Sequence, residues 1–359
     1  MRRIADTISR LHRPISAPSA VGGSSTLQPL TAFESNPGAL KGWYYAPAGQ
    51  TPTALVVVLH GCTQTAAGYD AGSGWTSLAA RHGFAVLFPE QQRQNNANLC
   101  FNWFADADIA RDGGEALSIR QMVGTLVDRL SIDPARVHVT GLSAGGAMTA
   151  VMLATYPDVF ASGAVIAGLP YGSATTMPQA FDRMRGVGHG SPAEAVARVR
   201  AASPHDGRWP ALSVWHGTAD RTVDIVNADA LADQWRSLHG IAAAPDRIDT
   251  VDGQDHRVWL DRKGDVAVEE YRIAGMGHGT PLATTGDRAA GAAGPFMLDV
   301  GISSTWHIAD RWGLIGDRAA AADRPKRAAA KPAPSTPASP TFDVYATIET
   351  ALRSAGLMR

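Results

Sequence analysis

The chain has 359 residues, 45% hydrophobic and 18% charged, with 32 Lys+Arg against 33 Asp+Glu and a formal net charge of -1. That length and apolar content suit one large globular domain, or one domain with insertions. The balanced charge, without a basic run or interleaved aromatic and basic residues, excludes an electrostatic footprint for nucleic acid, and no apolar run reaches membrane-spanning length.

Residues 1–21 read as an N-terminal extension. Met1 to His12 carries charges throughout and never makes the continuous apolar stretch of a secretory signal, so the expected location is the cytoplasm. Leu27 to Phe33 and Trp43 to Tyr45 alternate apolar and polar residues, as antiparallel strands opening a sheet do. Leu55-Val56-Val57-Val58-Leu59 is apolar at every position, a strand buried on both faces. Trp75 to His82 fits a short helix, Phe84 to Phe88 a strand stopped by Pro89, and Ala116 to Leu130 a longer helix, after which Asp133-Pro134 turns the chain. Strand Val137 to Thr140, helix Gly145 to Tyr156 and strand Gly163 to Ala167 follow. An irregular excursion over about 171–202 holds Met177-Pro178 and Ser191-Pro192, each able to start a small helix, where such sheets insert a lid. Strand Ala211 to Trp215, helix Val226 to His239 and strand Val266 to Ile273 complete the alternation. The pattern predicts an α/β domain over 22–317, its central sheet mostly parallel and covered by helices on both faces. Ala, Pro, Lys and Ser then dominate 318–341, a linker, and 342–359 regains helical spacing at Val344, Ile348 and Leu352 as a C-terminal helix.

The sharpest chemical signal is Gly141-Leu142-Ser143-Ala144-Gly145-Gly146 between a β-branched strand and an apolar helix. A serine on so tight a strand-to-helix turn is held in a strained conformation at the top of a sheet, and glycines on either side let strand and helix approach. Ser143 is therefore the expected nucleophile, facing the positive end of the following helix. Leu59-His60-Gly61-Cys62-Thr63 ends the first buried strand; a backbone N–H there, best assigned to Cys62, would pair with that of Ala144 as an oxyanion hole. Serine needs a general base, and in this topology the order is serine, acid, histidine. Among His239, His256, His278 and His307, only His278 stands in a glycine-bracketed loop after a strand. His239 ends a helix, His256 fits a polar loop and His307 a helix start. For the acid, Asp220 lies in the loop after strand Ala211 to Trp215, whereas Asp224 falls where a carboxylate caps a helix and Asp229 within the helix. No Cys/His spacing suits zinc and no phosphate-binding loop is present, so no metal and no cofactor is expected.

His60-Gly61-Cys62-Thr63-Gln64, Phe88-Pro89-Glu90-Gln91, Phe101-Asn102-Trp103-Phe104, Gly141 to Thr149, Tyr156-Pro157-Asp158-Val159-Phe160, Gly168-Leu169-Pro170-Tyr171-Gly172, His216-Gly217-Thr218-Ala219-Asp220 and Gly275 to Pro281 occur in this order. Together they resemble the poly(3-hydroxybutyrate) depolymerase family of esterases, related to feruloyl and acetylxylan esterases, over about Gly42 to Leu314. The resemblance implies an α/β-hydrolase fold with Ser143 as nucleophile, Asp220 as acid, His278 as base, and Cys62 with Ala144 as oxyanion donors. It also implies that Trp103 lines the substrate pocket, a core position being the alternative, and that Cys62 and Cys100 pair in a disulfide, as in secreted members. A cytosolic protein would instead keep two thiols, so secretion is the alternative location.

The function expected on this basis is a serine esterase acting through an acyl-enzyme on short hydroxyacyl esters, such as 3-hydroxybutyrate oligomers or amorphous polyhydroxybutyrate. Its partner is the ester or polyester substrate, with neither nucleic acid nor membrane. Secreted relatives resemble a catalytic domain, a linker and a substrate-binding module, whereas the tail here is about one helix long, which argues against crystalline granules as substrate. A feruloyl- or acetylxylan-type carbohydrate esterase, an acyltransferase sharing the acyl-enzyme, and a non-catalytic polyester-binding protein are the alternatives.

Overall fold

The computed structural model describes residues 26–315. The extension before them, the linker expected over 318–341 and the helix expected over 342–359 lie outside the described residues. Ten strands form the main sheet: β1 (Gln28–Leu30), β2 (Lys41–Tyr45), β3 (Leu55–Leu59), β4 (Ala85–Glu90), β5 (Val137–Leu142), β6 (Ser162–Ile166), β7 (Ala211–Gly217), β8 (Arg247–Val251), β9 (Gln254–Leu260) and β10 (Val266–Ile273). Their spatial order is β1-β2-β4-β3-β5-β6-β7-β10-β9-β8. The six strands from β4 to β10 in that order run parallel, with β1 and β2 antiparallel at one edge and β9 and β8 at the other.

All five residues of β3 are buried because the sheet is covered on both sides. Leu55, Val57 and Leu59 belong to one core with Ile119, Met122, Val123 and Leu126 of α4 (Gly114–Leu130) and with Leu231 and Trp235 of α8 (Val226–Leu238). Val56 and Val58 face the opposite core, with Tyr69 of α1 (Ala66–Ser73), Trp75 and Leu78 of α2 (Trp75–His82), and Ile308 of α9 (Ser304–Arg311). Every residue of α5 (Ala144–Thr155) is buried, which its sequence permits because it is apolar or small on all faces. A short α3 (Asp106–Ile109) precedes α4, and β11 (Thr280–Leu282) pairs with β12 (Met297–Asp299) in a small parallel sheet.

The excursion after β6 contains α6 (Met177–Met184) and α7 (Pro192–Ala201), each with proline in its first turn. Thr176 accepts from the Gln179 amide, and Ser191 with Glu194 closes a capping box on α7.

Two local expectations need correction. Pro89 does not stop its strand: β4 continues to Glu90, with Pro89 opposite Gly42 of β2. The partnership of β4 with β3 ends at Leu87, so Pro89 sits where β4 has become a one-sided strand and its missing N–H costs no ladder bond. His256 does not lie in a loop but on β9, one arm of an edge hairpin whose β8 mixes Arg247, Asp249 and the exposed Ile248. With one side facing water, that hairpin carries too little apolar alternation to announce itself.

Candidate active site

Ser143 stands between β5 and α5 at φ 57° and ψ -118°, a left-handed conformation rare for a residue with a side chain. The strain is enforced from both sides. A Cβ on Gly141 would lie 2.4 Å from the Gly145 carbonyl oxygen, and one on Gly145 would lie 2.3 Å from that of Leu59 and 2.5 Å from that of His60. Only glycine allows α5 to start this close to the end of β3. The Ser143 amide donates to the Ile166 carbonyl (2.9 Å), which ties the turn to β6.

Asp220 and His278 arrive on the loops after β7 and β10, neighbouring parallel strands. Three hydrogen bonds stitch those loops together: Thr218 N to Ile273 O (3.0 Å), Ala219 N to Met276 O (3.0 Å) and Gly275 N to Thr218 Oγ1 (2.9 Å). Across this seam His278 Nδ1 meets Asp220 Oδ2 at 2.7 Å. The other Asp220 oxygen accepts from the amides of Thr222 (2.8 Å) and Val223 (2.9 Å). Burial opposes ionisation of Asp220, but the hydrogen bond and charge of His278, the His216 ring and the Val223 amide together hold its carboxyl below the usual range. The arrangement leaves Nε2 as the free end of the His278 ring.

Ser143 and His278 line one cavity of about 20 Å³ with Gly61, Cys62, Gln64, Leu142, Thr222 and Phe296, room for a single water-sized group. Phe296 meets the His278 ring edge-on, centroids 6.2 Å apart. On the Cys62 side the neighbouring amides are committed: Gly61 N to Gln64 Oε1 (2.8 Å), Thr63 N to Asn98 O (2.7 Å) and Gln64 N to Gly61 O (3.3 Å). The Cys62 N–H is the donor that these bonds of the loop leave over, and Ala144 opens the first turn of α5. Cys62 and Cys100 are joined by a disulfide. Trp103 is buried in a satellite apolar cluster with Ala144, Ala147, Leu169, Ala180 and Val223, which Cys62, Cys100 and Met184 of α6 flank. It is thus a packed residue in the cluster that also holds Ala144, the residue after Ser143.

The competing groups lie elsewhere. Asp224 accepts from Val226 N (2.9 Å) at the start of α8, and Asp229 pairs with Arg272. His239 Nε2 meets the Pro210 carbonyl, His256 bridges Asp249 and Glu269, and His307 pairs with Asp252. Sequence reading missed Thr222 and Phe296 in the cavity wall; Thr222 is foreshadowed only by its place two residues after the acid, Phe296 by nothing. Among the described residues no group of three or more His, Cys, Asp or Glu side chains is arranged to hold a metal ion, and no helix is long and apolar enough to cross a membrane.

Serine, acid and histidine in that chain order, on loops at the carboxyl edge of a mostly parallel sheet, define the α/β-hydrolase class. The acetyl xylan esterase from Aspergillus awamori has the same fold, with a TM-score of 0.69 at 24% identity over 80% of this chain and 99% of that one. The sequence model described as "Esterase PHB depolymerase" matches residues 42–253, and the chain belongs to that family. It is 48% identical to the poly(3-hydroxyalkanoate) depolymerase C of Paucimonas lemoignei over 302 residues, 83% of this chain and 73% of the relative. An acetylxylan esterase of Coprinopsis cinerea is 33% identical over 267 residues, 72% of this chain and 70% of that protein. The chain is accordingly a carboxylic ester hydrolase.

Proposed function

We propose that the chain is a serine esterase that cleaves short 3-hydroxyacyl esters, 3-hydroxybutyrate oligomers and amorphous polyhydroxybutyrate among them, by way of an acyl-enzyme. The observation carrying the reading is the His278–Asp220 hydrogen bond at 2.7 Å, set on a ring that shares one small cavity with Ser143. In this mechanism the Ser143 hydroxyl attacks the ester carbonyl while His278 Nε2 takes its proton. Asp220 holds the ring with Nδ1 protonated and offsets the imidazolium charge. The N–H groups of Cys62 and Ala144 stabilise the oxyanion, aided by the N-terminal end of α5. His278 then protonates the departing alcohol, and water, activated by the same ring, releases the hydroxyacid.

Trp103 is the proposed apolar wall against the methyl-bearing acyl unit, its position beside Ala144 and Cys62 supporting that role. The segment 171–202 is proposed as a lid over the same side, since Ala174, Ala180 and Met184 pack into the Trp103 cluster. The domain spans proposed are those read from the sequence, with the catalytic unit over 22–317. The disulfide supports an oxidising compartment outside the cytoplasm over the cytoplasmic location. Similarity to an acetylxylan esterase favours acetylated carbohydrate as the second substrate reading.

One substrate panel tests the proposal: 3-hydroxybutyrate oligomers, p-nitrophenyl acyl esters, feruloyl esters and acetylated xylan, with wild type and Ser143→Ala. Cleavage of the oligomers, lost in the variant, supports it. Hydrolysis of acetylated xylan alone moves the assignment to carbohydrate esterases, and product transfer to an added alcohol in place of water identifies a transferase.

A further inference from the structure

A buried carboxyl that the mechanism above does not use lies behind the oxyanion loop. Glu115, in the first turn of α4, is fully shielded from solvent, yet both its oxygens are engaged by N–H donors. Gln91 Nε2 donates to Oε1 at 2.5 Å, Asn102 Nδ2 to Oε1 at 2.8 Å, and the Asn102 amide to Oε2 at 2.8 Å. A carboxyl is the side chain that offers two acceptor oxygens and no obligatory donor, so no other residue of this length satisfies all three donors at once.

Two routes lead from these donors to the same backbone amide. The first runs through Gln91, whose own N–H donates to His60 Nε2 at 3.1 Å. Accepting there leaves the His60 proton on Nδ1, which meets the Gly61 carbonyl at 2.7 Å. Gln64 N also donates to that carbonyl. In a trans peptide the C=O and the following N–H point in opposite directions, so pinning the Gly61 oxygen aims the Cys62 N–H the other way. Burial lowers the affinity of His60 for a second proton, which keeps this relay in one tautomer. The second route runs along residues 100–103. Gln91 Nε2 also donates to the Cys100 carbonyl at 3.1 Å, and Asn102 is held on Glu115 two residues further on. Cys100 is bonded to Cys62, and Trp103 follows Asn102 directly.

We propose that Glu115 is a positioning residue for ester hydrolysis: it anchors the Gln91–His60 relay and the Cys100–Trp103 segment together, and thereby aims the Cys62 N–H at the reacting carbonyl. The proposal rests on the oxyanion role given to Cys62 above. Burial pushes the Glu115 carboxyl up to about 8, with the nearby Asp108 charge adding to the rise and the Asn102 and Gln91 contacts opposing it. The N–H contacts from Asn102 and Gln91 favour the ionised form with two acceptor oxygens and so work against that rise.

An oxyanion donor acts on the transition state and hardly on bound substrate, so its misalignment is read in kcat. The test uses the full chain, p-nitrophenyl butyrate and a fluorophosphonate probe, with wild type, Glu115→Gln and Gln91→Ala. Glu115→Gln keeps the shape but turns one acceptor into a donor facing donors. Gln91→Ala removes the link between Glu115 and the first route, and the Cys100 contact, while leaving the carboxyl and the backbone N–H on His60 in place. In protein with native near-ultraviolet circular dichroism and an intact disulfide, the expected results are a fall in kcat of about tenfold to a hundredfold for Glu115→Gln and a smaller fall for Gln91→Ala, with KM within twofold and slower labelling of Ser143. Wild-type kcat in either folded variant overturns the proposal, as does a loss carried by KM. If Glu115→Gln does not fold, Gln91→Ala decides alone. Wild-type protein that neither hydrolyses the ester nor labels would refute the esterase reading instead, which separates the two failures.

Discussion

Replacing Gly145 by alanine tests the link between backbone packing and chemistry without touching a reacting group. The added Cβ would stand 2.3 Å from the Leu59 carbonyl oxygen and 2.5 Å from that of His60, where ordinary contact begins at 3.4 Å. Relief requires the first turn of α5 to move about 1 Å from the end of β3, and neither obstacle is a flexible side chain that can swing aside. The end of β3 leads into Cys62 and the first turn of α5 carries Ala144, so that movement widens the gap between the two proposed oxyanion donors. A displacement of about 1 Å costs about a hundredfold in rate, and overpacking of this kind costs about 1–3 kcal/mol of stability. The assay is kcat and KM on p-nitrophenyl butyrate together with the thermal midpoint. Gly294→Ala serves as control, because a Cβ there meets nothing within 4 Å, and its kcat should stay within twofold of wild type. A folded Gly145→Ala enzyme with wild-type kcat would refute the reasoning.

Further outcomes follow from the same geometry. Asp220→Asn should lower kcat by about 10³- to 10⁴-fold, since an amide cannot fix the Nδ1-protonated tautomer of His278. The depressed Asp220 carboxyl contributes stability that is present above its unfolded value of 3.8 and lost as pH falls through the lower folded one, so the variant should lose stability less steeply in that acid window. Urea midpoints from pH 5 downwards read this, and identical slopes contradict it. Reduction of Cys62–Cys100 should cut kcat at least about tenfold and lower the melting temperature, the cross-link over 38 residues being worth about 4 kcal/mol in chain entropy. Full activity in protein shown by mass to carry two alkylated thiols speaks against that coupling. Burial holds His138 down at about 3 from 6.5, so between those values the unfolded chain takes a proton that the folded chain refuses. Stability should therefore drop as pH is lowered across that window, by about 5 kcal/mol at most. His138→Phe, which preserves the stack on Trp312, should flatten the slope, and an unchanged slope counts against the assignment.

The elements that the sequence discloses most sharply are those whose burial leaves no choice of residue. β3 falls where its apolar run does, β10 spans the Val266 to Ile273 expected of it, and α2 begins and ends where Trp75 and His82 put it. Ser143, Asp220 and His278 were legible because each stands in a glycine-marked or strand-terminal loop, whose tightness leaves a trace in the sequence. The β8–β9 hairpin was not, because an edge exposed to solvent tolerates Arg, Asp and Thr where an inner strand requires Val or Leu. Glu115 was equally hidden. A glutamate near a helix start is ordinary, and its burial depends on Gln91 and Asn102 folding back over it, a tertiary fact that no local spacing records.

The central claim is that Ser143 is the nucleophile activated by the His278–Asp220 pair. Its most direct measurement is the site and rate of covalent modification by a fluorophosphonate, read by intact mass and peptide mapping for wild type, Ser143→Ala and His278→Ala. The account predicts one adduct per chain on the peptide containing Ser143, loss of esterase activity in step with it, no adduct in Ser143→Ala, and labelling slowed by orders of magnitude in His278→Ala. Modification of another residue, or hydrolysis that survives in Ser143→Ala, contradicts it.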